Sequence, residues 1–314
     1  MKTWTNLSDF KAKNPILTIG TFDGVHLGHN EVLKTLISKA NELNGESVVF
    51  TFWPHPKHIL PSKDSFQLFL LNNLEEKIEL LSKTGIDHLI IFPFSIEFSN
   101  LSSCEFIEQI LVKQVGIKAL IVGHDHHFGH NREGNFEFLK TCSLNYNFQV
   151  EQLPEFSIEQ DKISSTTIRN FILNGNVSQA NKLLGYSYII SGIVGEGKKH
   201  GKNLGFPTAN VELNDNFKLL PKTGVFAVRV KYKSNYYGGM LSIGTNPTIS
   251  KDNNIKTIEV NIFDFDKNIY GEKLRIEFVA KMRDEIRFEN IQLLIKQLEK
   301  DKTMALSILK NTSF

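Results

Sequence analysis

The chain has 314 residues, of which 41% are hydrophobic, and its 36 lysines and arginines nearly balance its 34 aspartates and glutamates. A chain of this length usually forms two domains, each large enough for its own core. The formal net charge of +2 gives no electrostatic argument for binding a nucleic acid or a membrane, so we expect small-molecule partners.

The first residues and the cysteines indicate the cellular compartment. Residues 1–11 contain no apolar signal core, and no run approaches the roughly 20 apolar residues that a membrane-spanning helix needs. Cys104 and Cys142 are the only cysteines and have no CxxC spacing, which argues against a disulfide framework or a zinc–thiolate site. We therefore expect a cytoplasmic protein whose two thiols are inert and buried.

Short apolar runs alternate with helical patterns through the first half of the chain. The runs predict buried strands at residues 16–20, 47–52, 88–92 and 118–122. The helical patterns begin near His29, Leu74, Ser102 and Gly134. This order predicts an α/β domain with a parallel, Rossmann-like sheet, whose ligands lie beyond the carboxyl ends of the strands.

The turn after the first predicted strand has the sequence GTFDGVHLGH at residues 20–29. Its glycines let the backbone turn sharply, and the helix that follows directs unpaired N–H groups and the positive end of its dipole towards an anion. His26 and His29 add two hydrogen-bond donors. The pattern predicts a phosphate site, although such a histidine pair could also be metal ligands or exposed loop residues.

Two further loops also follow predicted strands, and we expect them to lie beside the turn at residues 20–29 in one cleft. Residues 52–56 read FWPHP, in which two prolines stiffen the loop around His55, and a rigid surface loop would look the same. Residues 123–134 read GHDHHFGHNREG, and their four histidines leave metal binding open as an alternative.

A last motif of this half, ISSTTIR at residues 163–169, begins a helical pattern. Hydroxyls in a first helical turn are ordinary N-caps, but together with Arg169 they could also hold phosphates. Arg169 is the stronger candidate because its guanidinium fits phosphate oxygens and stays charged.

These motifs resemble the HxGH signature of the nucleotidyltransferase superfamily, in the GxFDGxHxGH form of the adenylyltransferase half of bacterial FAD synthetases. Residues 123–134 resemble that family's GxDFxFGxxRxG pattern, with His126 in place of the usual phenylalanine, and residues 163–169 resemble its SSTxIR motif. The resemblance implies transfer of AMP from ATP to FMN, with His26, His29 and Arg169 as catalytic residues. The implied nucleotide and flavin contacts are Gly20, Phe22, Asp23, Gly24, Gly28, His55, Asp125, Phe128, Arg132, Ser164, Ser165 and Thr166.

After residue 185 the pattern changes to short alternating strands separated by Gly, Asn and Asp turns. The predicted strands are 188–194, 225–232, 236–243, 256–263 and 273–279, which indicate an antiparallel β-barrel. Apolar residues at helical spacing in 290–309 predict a terminal helix packed on the barrel. We predict domains at residues 1–185 and 186–314.

The second half has its own glycine-rich, basic loop, followed by the stiff step Pro-Thr-Ala-Asn at 207–210. Together they resemble riboflavin kinase, although Lys202 stands where that family often has arginine. The resemblance implies Mg²⁺ held by the oxygens of Thr208 and Asn210 and Glu259 as the catalytic carboxylate, whereas the strand pattern alone would also fit a glutamate on the wet face of a strand. Other implied contacts are Gly197, Lys202, Gly205, Pro207, Asn246 and Arg283.

The chain as a whole resembles bacterial bifunctional riboflavin kinase/FMN adenylyltransferases. The resemblance implies an enzyme that uses ATP and Mg²⁺ to convert riboflavin to FMN and then FMN to FAD. Two alternatives stay open at this point: a related nucleotidyltransferase or kinase with another substrate, and a flavin-binding regulator without catalysis.

Overall fold

The computed structural model describes residues 1–61, 67–124, 128–129, 133–158, 161–196, 205–245 and 256–312. These residues form two compact units, Met1–Ser164 and Ser165–Phe314. No helix in the described ranges is both long and apolar enough to cross a membrane.

The first unit contains a parallel sheet, as the sequence predicts, and the sheet has six strands where four were predicted. Its strands are β1 (Lys2–Trp4), β2 (Pro15–Ile19), β3 (Glu46–Trp53), β4 (His88–Pro93), β5 (Ala119–Val122) and β6 (Gln149–Gln152), and their order across the sheet is β1-β4-β3-β2-β5-β6. The edge strands β1 and β6 were not predicted because both are short and largely exposed, so they lack an apolar run. A two-stranded hairpin, β7 (Ser157–Ile158) and β8 (Asp161–Lys162), follows the sheet.

The helices of this unit cross between the strands and cover both faces of the sheet. They are α1 (Leu27–Glu42), α2 (Pro56–Ile59), α3 (Leu74–Ser82), α4 (Ile96–Ser99), α5 (Ser103–Glu105), which continues as a π-helix (Phe106–Val115), and α6 (Phe136–Tyr146). Successive side chains of β2 point to opposite faces of the sheet. Leu17 packs with Phe50 and Leu120 in the core on one face, and Ile16 packs with Val49 in the core on the other face.

The second unit contains a closed antiparallel barrel, which confirms the predicted architecture. Its strands are β9 (Tyr188–Gly195), β10 (Ala209–Glu212), β11 (Gly224–Tyr232), β12 (Asn235–Thr245), β13 (Lys256–Ile262) and β14 (Lys273–Arg283), in the order β10-β13-β12-β11-β14-β9. The pattern missed β10, a strand of four residues in which only Val211 is buried.

In its described residues this unit has the helices α7 (Ser165–Leu173), α8 (Val177–Leu184) and α9 (Ile291–Asn311), the predicted terminal helix. Asn181 of α8 donates to the carbonyl of Phe278 at 2.8 Å and accepts from the amide of Tyr188 at 2.7 Å, so α8 is bonded to two barrel strands. The second compact unit therefore begins at Ser165, before the domain boundary predicted at residue 185. That the two catalytic domains meet at residue 185 stays a prediction.

The two cysteines differ in exposure. Cys142 is buried, as predicted, but Cys104 is exposed, so the expectation that both thiols are buried was wrong. Cys104 lies in the first turn of its helix, next to Ser103, whose side chain occupies the buried position instead.

Candidate functional sites

The turn between β2 and α1 has a sharply bent backbone. Phe22 and Val25 have φ angles of 47° and 38°, and Gly24 has 89°, so three residues adopt the left-handed region within a few positions. The amide of Gly20 donates to the carbonyl of Phe50 at 3.1 Å, which joins the beginning of the turn to the neighbouring strand. This bend delivers the chain to the N-terminus of α1, where backbone N–H groups can meet an anion.

His26 and His29 lie together at this helix N-terminus. The Nδ1 atom of His26 accepts from the backbone amide of His29 at 3.2 Å, and their rings stack at 3.6 Å with an angle of 12°. An acceptor nitrogen carries no proton, so neutral His26 has its proton on Nε2. Gly28 permits this arrangement, since a Cβ at that position would lie 3.3 Å from the His26 ring.

His29 is held as a neutral imidazole. Burial is the main cause that brings its pKa well below 6.5, and the nearby charges of His26 and Lys77 lower it further. Its Nδ1 atom is buried and has no hydrogen-bond partner among the described residues. A neutral ring can still donate one N–H to a phosphate oxygen, so the geometry suits a hydrogen-bond donor rather than a cation.

Asp23 and Phe22 are enclosed by the protein. The Asp23 carboxylate is buried and accepts from the amides of Leu71 and Asn72 at 2.8 and 3.3 Å, so it fixes the turn against the segment before α3. The ring of Phe22 is also buried and lies 4.9 Å from that of His29. Phe22 thus packs against His29, whereas Asp23 holds the turn that carries both histidines.

The two other predicted loops have partly described contacts. His55 is buried, and its Nδ1 atom accepts from the amide of Lys57 at 3.1 Å, which caps α2. Phe128 exchanges backbone hydrogen bonds with Gly134 and lies among aromatic rings, 6.0 Å from Phe106. Within the described ranges no three His, Cys, Asp or Glu side chains form a metal site. Most of the predicted histidine cluster lies outside those ranges.

The hydroxyl motif begins α7, as expected. Ser164 precedes the helix, Ser165 and Thr166 lie in its first turn, and Arg169 follows one turn later and is half-buried. The first unit ends at Ser164, whereas the other three residues belong to the second unit.

The barrel brings together the three residues predicted for kinase chemistry. Asn210 on β10 pairs directly with Glu259 on β13 in the antiparallel register. The hydroxyl of Thr208 donates to Oε2 of Glu259 at 3.5 Å. The strand pairing thus brings Glu259 next to Thr208 and Asn210, and all three side chains keep some exposure to solvent. Hard oxygen donors of this kind suit Mg²⁺.

The neighbouring Pro207 is held by a residue that the sequence argument missed. Asn261 is buried on β13, two positions after Glu259, and its amide nitrogen donates to the carbonyl of Pro207 at 2.7 Å. The only sequence signal was a polar residue in a predicted buried run. Gly205, just before this segment, is exposed and has a φ of 78°.

Arg283 lies at the end of β14 and binds a protein carboxylate. Its Nε and Nη2 atoms donate to Asp301 of α9 at 3.0 and 2.7 Å, and Gln297 donates to the same carboxylate at 2.8 Å. Asp301 is almost completely buried, with an exposed fraction of 1%. Arg283, one of the contacts that the resemblance implies, therefore also joins the barrel to the terminal helix.

Five predicted contacts lie outside the described residues: Asp125, Arg132, Gly197, Lys202 and Asn246.

A parallel α/β unit with two histidines at a helix N-terminus, together with a barrel that gathers Thr, Asn and Glu oxygens, defines a two-part phosphotransfer enzyme. A family model described as FAD synthetase matches residues 9–167, and one described as riboflavin kinase matches residues 184–309. The chain belongs to the family of bifunctional riboflavin kinase/FMN adenylyltransferases.

Curated relatives with that name cover nearly the whole chain. The protein of Listeria monocytogenes is 38% identical over 95% of this chain and 92% of its own length, and that of Haemophilus influenzae is 40% identical over 91% of each. A crystal structure described as a macrolide-efflux protein from Streptococcus pneumoniae is 32% identical, covers 99% of both chains and has a TM-score of 0.88.

Proposed function

We propose that the first unit and the motif at the start of α7 serve the transfer of AMP to FMN, and that the barrel serves the phosphorylation of riboflavin. The chain is a bifunctional riboflavin kinase and FMN adenylyltransferase, as its family membership shows. The observation that best supports the assignment of residues is the grouping of Thr208, Asn210 and Glu259 across two barrel strands.

AMP transfer needs alignment of two anions more than it needs a base. A phosphate oxygen of FMN attacks the α-phosphorus of ATP, and the bond to pyrophosphate breaks. FMN brings an ionised nucleophile, so the protein has to orient it and stabilise charge on the α-phosphate and the departing pyrophosphate. We assign this role to the N-terminus of α1, to His26 and His29 as N–H donors, and to Arg169 as a fixed cation.

The other predicted residues of this site divide into contacts and supports. Gly20, Gly24 and Gly28 let the backbone approach the nucleotide, and Ser164, Ser165 and Thr166 offer hydroxyls to phosphates. His55 and Phe128 remain proposed contacts. Asp23 and Phe22 are buried behind the histidines, so we assign them to support of the turn.

The kinase step requires removal of a proton from the primary hydroxyl of riboflavin and in-line transfer of the γ-phosphoryl group of ATP. We propose Glu259 as the proton acceptor. Thr208 and Asn210 would hold Mg²⁺, which neutralises phosphate charge when bound; their hydroxyl and carbonyl oxygens are suitable ligands. The family is ATP-dependent and metal-assisted, and we propose that the metal is Mg²⁺.

We also propose that the enzyme works in the cytoplasm. The cysteines are free, and burial raises the pKa of the Cys142 thiol, which keeps it protonated and unreactive. Free thiols fit a reducing compartment, where riboflavin, FMN and ATP would be the partners.

The test is to incubate the purified protein with riboflavin, ATP and Mg²⁺ and to separate the flavins by chromatography. We expect FMN first, then FAD with release of pyrophosphate, and no product after removal of metal by EDTA until Mg²⁺ is restored. Unchanged riboflavin would contradict the proposal and favour a flavin-binding regulator. A panel of other alcohols and nucleotides tests for a different substrate.

A further inference from the structure

A buried lysine lies behind the phosphate turn of the first unit. Lys77 is on α3, and its exposed fraction is 1%. Leu74, Ile78 and Leu81 share its face of the helix, at the i, i+4 and i+7 positions counted from Leu74, while Lys77 occupies i+3. A lysine in an apolar stripe has a large desolvation cost, so its burial requires specific partners.

The partners of Lys77 are parts of the predicted site. Its Nζ atom donates to the carbonyl of Thr21 at 2.7 Å and lies 5.4 Å from the ring centroid of Trp53. The hydroxyl of Thr51 donates to the same carbonyl at 3.3 Å. Lys77 therefore joins α3 to the turn and to the end of β3, where Trp53 precedes the loop of His55.

The charge of Lys77 also acts on the site. The Asp23 carboxylate stabilises the ammonium, and the ammonium in turn lowers the pKa of His29. The turn thus contacts a buried cation and leads into the N-terminus of α1, two positive features that both favour an anion.

We propose that Lys77 is a positioning residue for the transfer of AMP to FMN: it fixes the turn through the Thr21 carbonyl and supplies a fixed positive charge behind the ATP phosphates. This inference rests on the proposed function of the first unit. Lys77 does not have to touch substrate, because a low-polarity surrounding carries its field to the phosphate site.

The protonation of this amine gives the proposal a distinct signature. Burial lowers the pKa of Lys77 to about 8, although Asp23 opposes the shift. The titratable groups that interact with it are Asp23 on the turn and His29, which stacks on His26 of α1. Glu76, the preceding residue of α3, is also buried. The ammonium is present at neutral pH and is lost as the pH rises through about 8.

The experiment compares Lys77→Met and Lys77→Arg with the wild type. Lys77→Met fills the space without charge, and we expect its kcat/KM for ATP in FAD synthesis to fall roughly 10²-fold, as for small displacements of positioned groups. Wild-type FAD synthesis should decline above about pH 8. In Lys77→Arg this decline should move to higher pH, since guanidinium stays charged.

A spectroscopic measurement on the free protein accompanies the kinetics. Trp4 and Trp53 are the only tryptophans, and only Trp53 contacts Lys77. Deprotonation beside the indole should change the fluorescence near pH 8 in the wild type and not in Lys77→Met. This signal is independent of catalysis.

Lys218→Met is the matched control. Lys218 is also buried, with Nζ 4.6 Å from the ring centroid of Tyr188, but it belongs to the second unit. Its variant should leave the rate and pH profile of FAD synthesis from supplied FMN unchanged. Riboflavin phosphorylation by Lys77→Met provides an internal control and should stay near the wild-type rate.

The outcomes separate two failures. A Lys77→Met protein with wild-type kcat/KM and pH profile, or with equal loss of both reactions, would overturn the role of Lys77 while leaving the proposed function intact. If the wild type makes FMN but never FAD, the proposed function of the first unit fails, and the role of Lys77 fails with it.

Discussion

Glu259 illustrates how much of a residue's role depends on its neighbours. It lies between buried Ile258 and Val260, so its exposure alone would fit a glutamate on the wet face of a strand. Two contacts distinguish it from such a residue: the Thr208 hydroxyl and the paired position of Asn210. A carboxylate beside the two oxygens that we propose as metal ligands is well placed to receive a proton from a substrate hydroxyl.

The substitution Glu259→Gln should therefore abolish kinase activity selectively. It keeps the size of the side chain and removes its basicity, and positioned general-base help is worth about 10²- to 10⁴-fold. The variant should convert supplied FMN to FAD while failing to phosphorylate riboflavin, as measured by chromatography of flavins. Glu277→Gln, on another barrel strand, is the matched control. Near-wild-type kinase activity in Glu259→Gln would make Glu259 an ordinary surface residue.

His29 should make the first unit sensitive to acid. The pKa of His29 in the folded protein lies well below 6.5, the ordinary value that applies in the unfolded chain. At a pH between the folded and the unfolded pKa, the unfolded chain therefore binds a proton that the folded protein does not. The free energy of unfolding therefore falls as the pH drops below about 6.5. The substitution His29→Gln removes this group, so the stability of the variant should decline less than that of the wild type between about pH 7 and pH 5.

The same variant should lose FAD synthesis by roughly 10²- to 10³-fold.

Urea unfolding followed by tryptophan fluorescence measures this effect, because both tryptophans belong to the first unit. His124→Gln is the control, since His124 is exposed, and its curve should run parallel to that of the wild type. Parallel curves for His29→Gln and the wild type would show that His29 is not the acid-sensitive group.

At the level of elements, a buried ion pair adds to the apolar contacts that join β14 to α9. Arg283 donates to the Asp301 carboxylate from both Nε and Nη2, and Asp301 is almost completely buried. The sequence pattern could not reveal this pairing, because the partners belong to different elements and each alone resembles a surface charge. The terminal helix is thereby fixed to the end of the strand that carries Arg283.

Asp301→Asn should destabilise the second unit by about 3 kcal/mol, because it leaves a largely buried guanidinium without its counter-charge. Arg283→Met should cost a similar amount, and the double variant should be no less stable than either single one. Calorimetric unfolding gives these values. Asp284→Asn, an exposed neighbour, should change stability by less than about 0.5 kcal/mol. Additive losses in the double variant would show that the pair is not the stabilising link.

For the whole molecule, the two compact units suggest separable activities. A fragment of residues 165–314 contains the barrel with α7 and α8. A fragment of residues 186–314 lacks Asn181, so the amide of Tyr188 and the carbonyl of Phe278 each lose a hydrogen bond. Both should make FMN and never FAD, and the longer one should be the more stable. Thermal unfolding and flavin chromatography test this. FAD made by either fragment would overturn the assignment of the two reactions.

The sequence by itself determined the class of each half and most of the elements. Strands such as β2 and β5 are fully buried and are visible in the sequence as apolar runs. The alternation of a strand and the spacing of apolar residues in a helix are local properties of the sequence, so both can be recognised without the fold. The motifs at 20–29 and 207–210 are also local, because a turn with a helix start, or a stiff Pro-Thr step, is encoded within a few residues. The edge strand β1 and the short strand β10 lacked such a signal.

Only the tertiary structure decided what individual side chains do. It paired Asn210 with Glu259, directed Arg283 to Asp301 and buried Lys77 behind the turn of Thr21. Each pair joins residues that are 18 or more positions apart in the chain. Periodicity fixes the face on which a residue lies but not the element that packs against that face, and the energy of a charged or polar group depends on its partner there.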